Sequence, residues 1–135
     1  MAQINRDVIE QFRAYAGEIK EGIFKGSPIV LLTTKGAKSG ATHTTPLVHT
    51  RDRDRYVVIA SKGGAPTNPA WYHNLVANPI VTIEVGPEQF KARATVAQGE
   101  ERDRLFNAQA ALMPGFADYQ RNTTRRIPVV VLERL

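Results

Sequence analysis

Cysteine is absent from the 135 residues. Disulfides, thiolate-ligated zinc, iron–sulfur clusters and a thiol nucleophile are therefore excluded, and a cytoplasmic address is expected. Long apolar runs are also missing, since none approaches the ~20 residues needed to cross a bilayer. Charges recur from Arg6 onward, so the N-terminus has no signal-peptide core. Membrane insertion is not expected; association with a membrane surface is left open. Aromatic residues make up only 7% of the chain, with a single tryptophan. Strands and helices do not alternate as βαβ units, which argues against a doubly wound nucleotide fold.

What is present is ordinary globular composition, 42% hydrophobic and 23% charged, at a length that suits one domain over residues 1–135. Eighteen basic against thirteen acidic residues give a net charge of +5. The excess is concentrated in residues 26–65, where Lys35, Lys38, Arg51, Arg53, Arg55 and Lys62 face only Asp52 and Asp54. A cluster of this kind suggests an anionic partner bound there.

Val8, Phe12, Ala16, Ile19 and Ile23 recur at helical spacing, so an amphipathic helix is expected over residues 6–22, within an N-terminal segment 1–25. Strands follow at 28–34, 41–50 and 55–61, the first two joined by the turn 35–40. Asn68-Pro69 has the cap and first-turn chemistry of a helix over 69–77. Val81, Ile83 and Val85, then Phe90, Ala92, Ala94 and Val96, alternate with polar residues across Gly86-Pro87, the pattern of a hairpin. A helix over 100–113, a short helical segment over 116–122 and a strand over 128–132 complete the chain. Six strands with mostly hairpin connections predict an α+β protein whose antiparallel sheet closes as a barrel.

Two glycine-bearing segments can approach an anion. Lys35-Gly36-Ala37-Lys38-Ser39-Gly40 combines flexible backbone with two lysines, although it is followed by a strand and so is no Walker A loop. Ser61-Lys62-Gly63-Gly64 closes a strand just before the helix at Pro69. Trp71 can pack against a flat ligand ring or anchor the core. His43, His49 and His73 have no carboxylate at metal-ligand spacing, so no metal site is expected. No Ser-His-Asp arrangement is legible. Nucleic acid is a poor partner, because the basic segment lacks the exposed aromatic platforms expected for binding single strands.

The ordered set Gly36-Ala37-Lys38-Ser39-Gly40, Thr45-Pro46-Leu47, Ala60-Ser61-Lys62-Gly63-Gly64, Asn68-Pro69-Ala70-Trp71-Tyr72-His73-Asn74-Leu75 and Ala77-Asn78-Pro79 resembles the deazaflavin-dependent nitroreductase family. Tyr119-Gln120 and Ile127-Pro128-Val129-Val130 extend the likeness to the C-terminus, so that it covers about residues 28–135. The resemblance implies a split β-barrel that binds coenzyme F420, a deazaflavin with a polyanionic tail, and transfers a hydride from it. The acceptor it implies is a flat, electron-poor molecule: a quinone, a nitroaromatic or a conjugated enone.

By position, the resemblance puts cofactor contacts on Ala37, Lys38 and Ser39 and on His43, Thr44, Thr45, Pro46, Leu47 and Val48. It adds Ala60, Ser61 and Lys62, and Ala70, Trp71, Tyr72, His73 and Asn74. Some relatives have arginine where this chain has Ala37, and a basic residue where it has His43. The tyrosine trio that surrounds the substrate in the nitroreductase type corresponds here to Met113, Phe116 and Tyr119. Ser61 and Tyr119 are the hydroxyls expected to stabilise or protonate the reduced oxygen. The alternatives are a carrier that holds F420 without turnover, or an FMN protein of related fold. Pairing of two copies is left open.

Overall fold

The computed structural model describes residues 2–135. Its elements in order are α1 (Ala2–Ala14), β1 (Ile29–Lys35), β2 (Thr42–Asp52), β3 (Arg55–Ile59), a single 3-10 turn (Lys62–Gly64), α2 (Ala70–Ala77), β4 (Ile80–Val85), β5 (Glu88–Val96), α3 (Gly99–Leu112), α4 (Gly115–Arg121) and β6 (Val129–Arg134). The six strands close into an antiparallel barrel in the order β1-β2-β3-β6-β5-β4. This is the closed antiparallel barrel that the strand pattern predicted, and it agrees with the split barrel that the resemblance implied.

The strands with continuous apolar runs are the ones covered on both faces. In β1, Val30 and Leu32 point into the barrel core, while Ile29 and Leu31 lie under α1. In β3 and β6, Tyr56, Val58, Val130 and Leu132 point inward; Val57, Ile59, Val129 and Val131 lie under α3. The strands β4 and β5 alternate because only their inner face is covered: Val81, Ile83, Ala92 and Ala94 are buried, and Lys91 is exposed. Sheet faces without a helix on them must stay polar.

The N-terminal helix is shorter than its periodicity predicts. It ends at Ala14, and the chain turns through Ala16 (φ 51°) and Gly17 (φ 96°), whose N–H donates to the Phe12 carbonyl at 2.8 Å. A Cβ on Gly17 would lie 2.8 Å from the Gly86 Cα, so the chain crosses the β4–β5 turn where only glycine fits. Beyond the break Ile19 is still buried against Val8 and Phe12, but Ile23 is exposed. The apolar spacing thus continued past the helix that it suggested. Arg13 anchors the helix to β4 through a bidentate pair with Glu84, at 2.9 and 3.2 Å.

Candidate active site

The turn between β1 and β2 is closed on itself. The Gly36 N–H donates to the Ala41 carbonyl at 2.7 Å, the Gly40 N–H to the Gly36 carbonyl at 3.0 Å, and the Ala41 N–H to the Ser39 Oγ at 3.2 Å. A Cβ on Gly36 would come within 2.6 Å of that Oγ, which is why glycine stands there. The Ala37 N–H is also taken, by the Asn74 Oδ1 at 3.1 Å. The turn therefore offers an anion less backbone than its glycines suggest. The amides of Lys38 and Ser39 and the Lys38 ammonium are what remain.

Facing this turn is α2. Its Asn74 both accepts from Ala37 and donates from Nδ2 to the buried Thr34 Oγ1 at 3.2 Å, tying helix, strand and turn together. Trp71 and Leu75 point into the barrel core, so the core-anchor role of Trp71 is realised. Between turn and helix lies a cleft of about 830 Å³, within the ~300–1,000 Å³ usual for small-molecule sites. It is lined by Thr34, Gly36, Ala37, Lys38, Ser39, His43, Thr44, Thr45, Ala70, Trp71, His73 and Asn74, with no carboxylate among them.

Ten expected cofactor contacts thus line one cleft: Ala37, Lys38, Ser39, His43, Thr44, Thr45, Ala70, Trp71, His73 and Asn74. The other seven do not line it. Leu47 packs on the barrel core, Val48 packs under α1, and Pro46 pairs with Leu31. Tyr72 lines a separate cavity of about 320 Å³ with Arg102 and Arg126. Ala60 is buried in the core. Ser61 and Lys62 belong to the connection between β3 and α2, where the Lys62 Nζ donates to the Thr67 Oγ1 at 3.4 Å.

That connection is unusual. Lys62 (φ 47°), Gly63 (φ 64°) and Gly64 (φ 82°) are consecutive left-handed residues, a conformation that costs a non-glycine residue roughly 1–2 kcal/mol. A Cβ on Gly64 would lie 3.0 Å from the Tyr119 carbonyl oxygen, so α4 packs directly on the turn. The Tyr119 ring meets Phe116 edge-on at 5.6 Å, and both pack against the cluster under α3. Tyr119 is therefore a neighbour of the Ser61–Gly64 turn, and Met113, Phe116 and Tyr119 do not line the cleft.

The residue that holds this connection was not expected from the sequence. The Arg125 guanidinium donates to the carbonyls of Ala60 (3.2 Å), Ser61 (2.7 Å) and Ala65 (2.8 Å) and to the Asn68 Oδ1 (2.7 Å). Asn68, expected as the cap of α2, is thereby used elsewhere; Pro69 takes the cap position and makes no side-chain bond. Local capping chemistry gave way to a long-range cation. Gln120 supports the same corner, accepting at Oε1 from the Ile127 N–H (3.0 Å) and from Arg102 (2.8 Å), and donating to the Arg125 carbonyl (2.8 Å). One of two adjacent arginines before a strand gives no signal of such contacts.

The basic segment 26–65 does not form one patch. Thr42 and Asp52 lie at opposite ends of an 11-residue strand, about 33 Å apart at ~3.3 Å per residue. Near the Asp52 end, Arg55 pairs with Asp52, and Arg51 sits over the Tyr56 ring at 4.7 Å. Every ion pair among the described residues is made by an arginine, none by a lysine. Lys38 at the cleft and Lys62 at the turn therefore have no carboxylate partner within ion-pair distance. Among the described residues no cluster of three metal-ligating side chains forms, and no helix is long and apolar enough to cross a membrane.

Comparison with known proteins places these features. The sequence model of the F420H(2)-dependent quinone reductase family matches residues 4–134. An F420H(2)-dependent quinone reductase of Mycobacterium tuberculosis is 43% identical over 128 residues, covering 91% of this chain and 85% of the relative. An F420-H2 dependent reductase (FDR-A) of known structure is 41% identical with a TM-score of 0.73, covering 78% of this chain and 94% of its own. A solved structure described as a domain-swapped dimer is 36% identical with a TM-score of 0.74, covering 93% and 95%. A haem protein of Vibrio cholerae, 16% identical at a TM-score of 0.62, shares the fold alone. With the barrel, the carboxylate-free cleft and these matches, the chain belongs to the F420H(2)-dependent quinone reductase family.

Proposed function

We propose that this chain carries out the reaction of its family, reduction of a quinone by reduced F420, and that the cleft between the β1–β2 turn and α2 holds the cofactor. The observation that carries this reading is the cleft's composition: an unpaired lysine, two unspent amides, a tryptophan edge and no carboxylate. Those groups suit a flat ring that bears an anionic tail. Bound there, the reduced deazaflavin supplies the hydride.

The protein's own residues have the remaining work. Lys38 and the amides of Lys38 and Ser39 hold tail anions, and Trp71 forms a wall for the ring. His43 and His73 flank the opening. Ser61 donates a hydrogen bond toward the ring or the acceptor oxygen, where negative charge grows as hydride arrives. Tyr119, on the helix packed against the Ser61–Gly64 turn, supplies the proton from its phenol and regains one from solvent. Phe116 and Met113 complete the acceptor side. Hydride, which brings two electrons and one proton, plus one further proton converts the quinone to the hydroquinone.

Titration with F420 tests the site, and oxidation of F420H2 by menadione or a nitroaromatic tests the reaction. Tyr119→Phe is expected to lower turnover by about 10²-fold with F420 affinity kept. Unchanged turnover would make solvent the proton donor and Tyr119 a wall; no F420 binding, with FMN bound instead, would refute the cofactor. A carrier would bind F420H2 and leave it stable against every acceptor. We also propose a cytoplasmic homodimer, since a structural relative is a domain-swapped dimer and α1 joins the barrel through a stretch with left-handed Gly17, Gly22 and Gly26. Light scattering measures its mass.

A further inference from the structure

The four acceptors of Arg125 all lie between residues 60 and 68, the segment that carries the chain from β3 to α2. Four of the five N–H donors of its guanidinium are used there, and none reaches a carboxylate. Burial pushes the arginine's pKa down, as expected for a cation solvated by carbonyls instead of by a counter-ion. The segment it holds is one that would not choose its own shape. Lys62 is left-handed, and Asn68, the residue suited to cap α2, is turned away to the arginine. Directly after Asn68 and Pro69 come Ala70 and Trp71, which line the cleft. From outside, the segment is also supported by the contact of Gly64 with the backbone of Tyr119, on the helix whose Gln120 bonds the Arg125 carbonyl.

We propose that Arg125 is the positioning residue of the cofactor site. It sets the Ser61 hydroxyl and the first turn of α2 against the cofactor, and its uncompensated charge strengthens anion binding without touching the ligand. This rests on the reading that the cleft holds F420. A lysine could replace the charge but not the planar fork, which reaches four acceptors at once. The arginine therefore does two separable things, one geometric and one electrostatic.

The test measures F420 affinity by fluorescence as a function of salt for wild type, Arg125→Ala, Arg125→Lys and Leu31→Ala. Leu31 lies under α1, away from the cleft, so its truncation lowers stability without this contact. Arg125→Ala is expected to weaken F420 about tenfold or more and to flatten the salt dependence. Millimolar guanidinium should restore part of the loss. Arg125→Lys should weaken binding but keep the wild-type salt slope, and Leu31→Ala should keep the wild-type affinity. Unchanged affinity in Arg125→Ala overturns the proposal, as does equal weakening in Leu31→Ala. Should the alanine variant not fold, Arg125→Lys decides: weaker binding at a kept salt slope supports the assignment, and unchanged binding overturns it. Failure of wild type itself to bind F420 would instead refute the cofactor reading, and this assignment with it.

Discussion

Replacing Asn74 with alanine removes two bonds at once. The Ala37 N–H loses its acceptor at 3.1 Å, and the Thr34 Oγ1 loses its donor at 3.2 Å. Thr34 is only 1% exposed, so water cannot take over. Leaving a buried polar group unpaired costs about 1–3 kcal/mol, and the half-buried amide costs less, so the pair is worth roughly 2–4 kcal/mol. For a chain of this size 1 kcal/mol moves the melting temperature by about 3–4 °C, which gives a drop of roughly 6–16 °C. The turn and α2 would also lose the polar link that Asn74 makes between them, so F420 affinity should fall in the folded protein. Asn74→Asp separates the two effects. Aspartate still accepts from Ala37, and the Thr34 hydroxyl can rotate to donate to it, so stability should stay near wild type. The new negative charge in a carboxylate-free cleft should nevertheless weaken an anionic cofactor. Calorimetry and F420 titration read the two quantities independently. A melting temperature within about 1 °C of wild type for Asn74→Ala would refute the bonding scheme, since even one lost buried bond exceeds that. Undiminished F420 affinity in a stable Asn74→Asp would show that the cofactor's charge lies elsewhere.

Lys38→Ala removes the one ammonium at the cleft. Charge-assisted contacts are worth roughly 1.5–3 kcal/mol, so F420 should bind about 10–100-fold more weakly with a shallower salt dependence; equal affinity and an unchanged salt slope would clear Lys38 of the role. Stability should fall on the acid side for two reasons. Hydrogen bonds from Arg104 and then Arg55 hold the Asp52 carboxyl well below the usual range, so its contribution is present above about pH 3.9 and lost as pH falls beneath that. Burial lowers the pKa of His49, so its contribution is present above about pH 6.5 and declines as pH drops through the lowered value. Melting temperature against pH should therefore flatten below about pH 4 in Asp52→Asn; a curve that still tracks wild type there would assign the acid limb to other groups.

The barrel was legible because its chemistry is local. A strand covered on both faces must be apolar throughout, and Val129 to Leu132 says so without reference to any other residue. A strand covered on one face must alternate, as Val81 to Glu84 does. The end of α1 was not legible, because the same glycine that stops the helix is set by contact with Gly86, nearly 70 residues away. Apolar spacing alone cannot tell a helix that continues from a loop that still buries Ile19. Likewise, the count of basic residues in 26–65 gave one cluster where the folded strand makes two, because charge along a sequence is not charge on a surface.

The site divides along the same line. Ten of the residues expected around the cofactor line one cleft, and those carry a legible local chemistry: glycine beside lysine, and a tryptophan at a helix start. Residues that hold those in place were not legible. Asn68 has the right side chain for a cap and the right position before a helix, yet its Oδ1 faces Arg125, 57 residues on. A cap bond is worth about 1 kcal/mol. A guanidinium with four acceptors satisfies its own desolvated charge only by taking every oxygen within reach, and hydrogen bonds to charged groups run to about 1.5–3 kcal/mol each. The larger demand wins, and it is made from the far end of the chain. The connection between β3 and α2 consequently owes its shape to the residues just before β6, and a substitution at position 125 should be felt in the cleft before it is felt in the barrel.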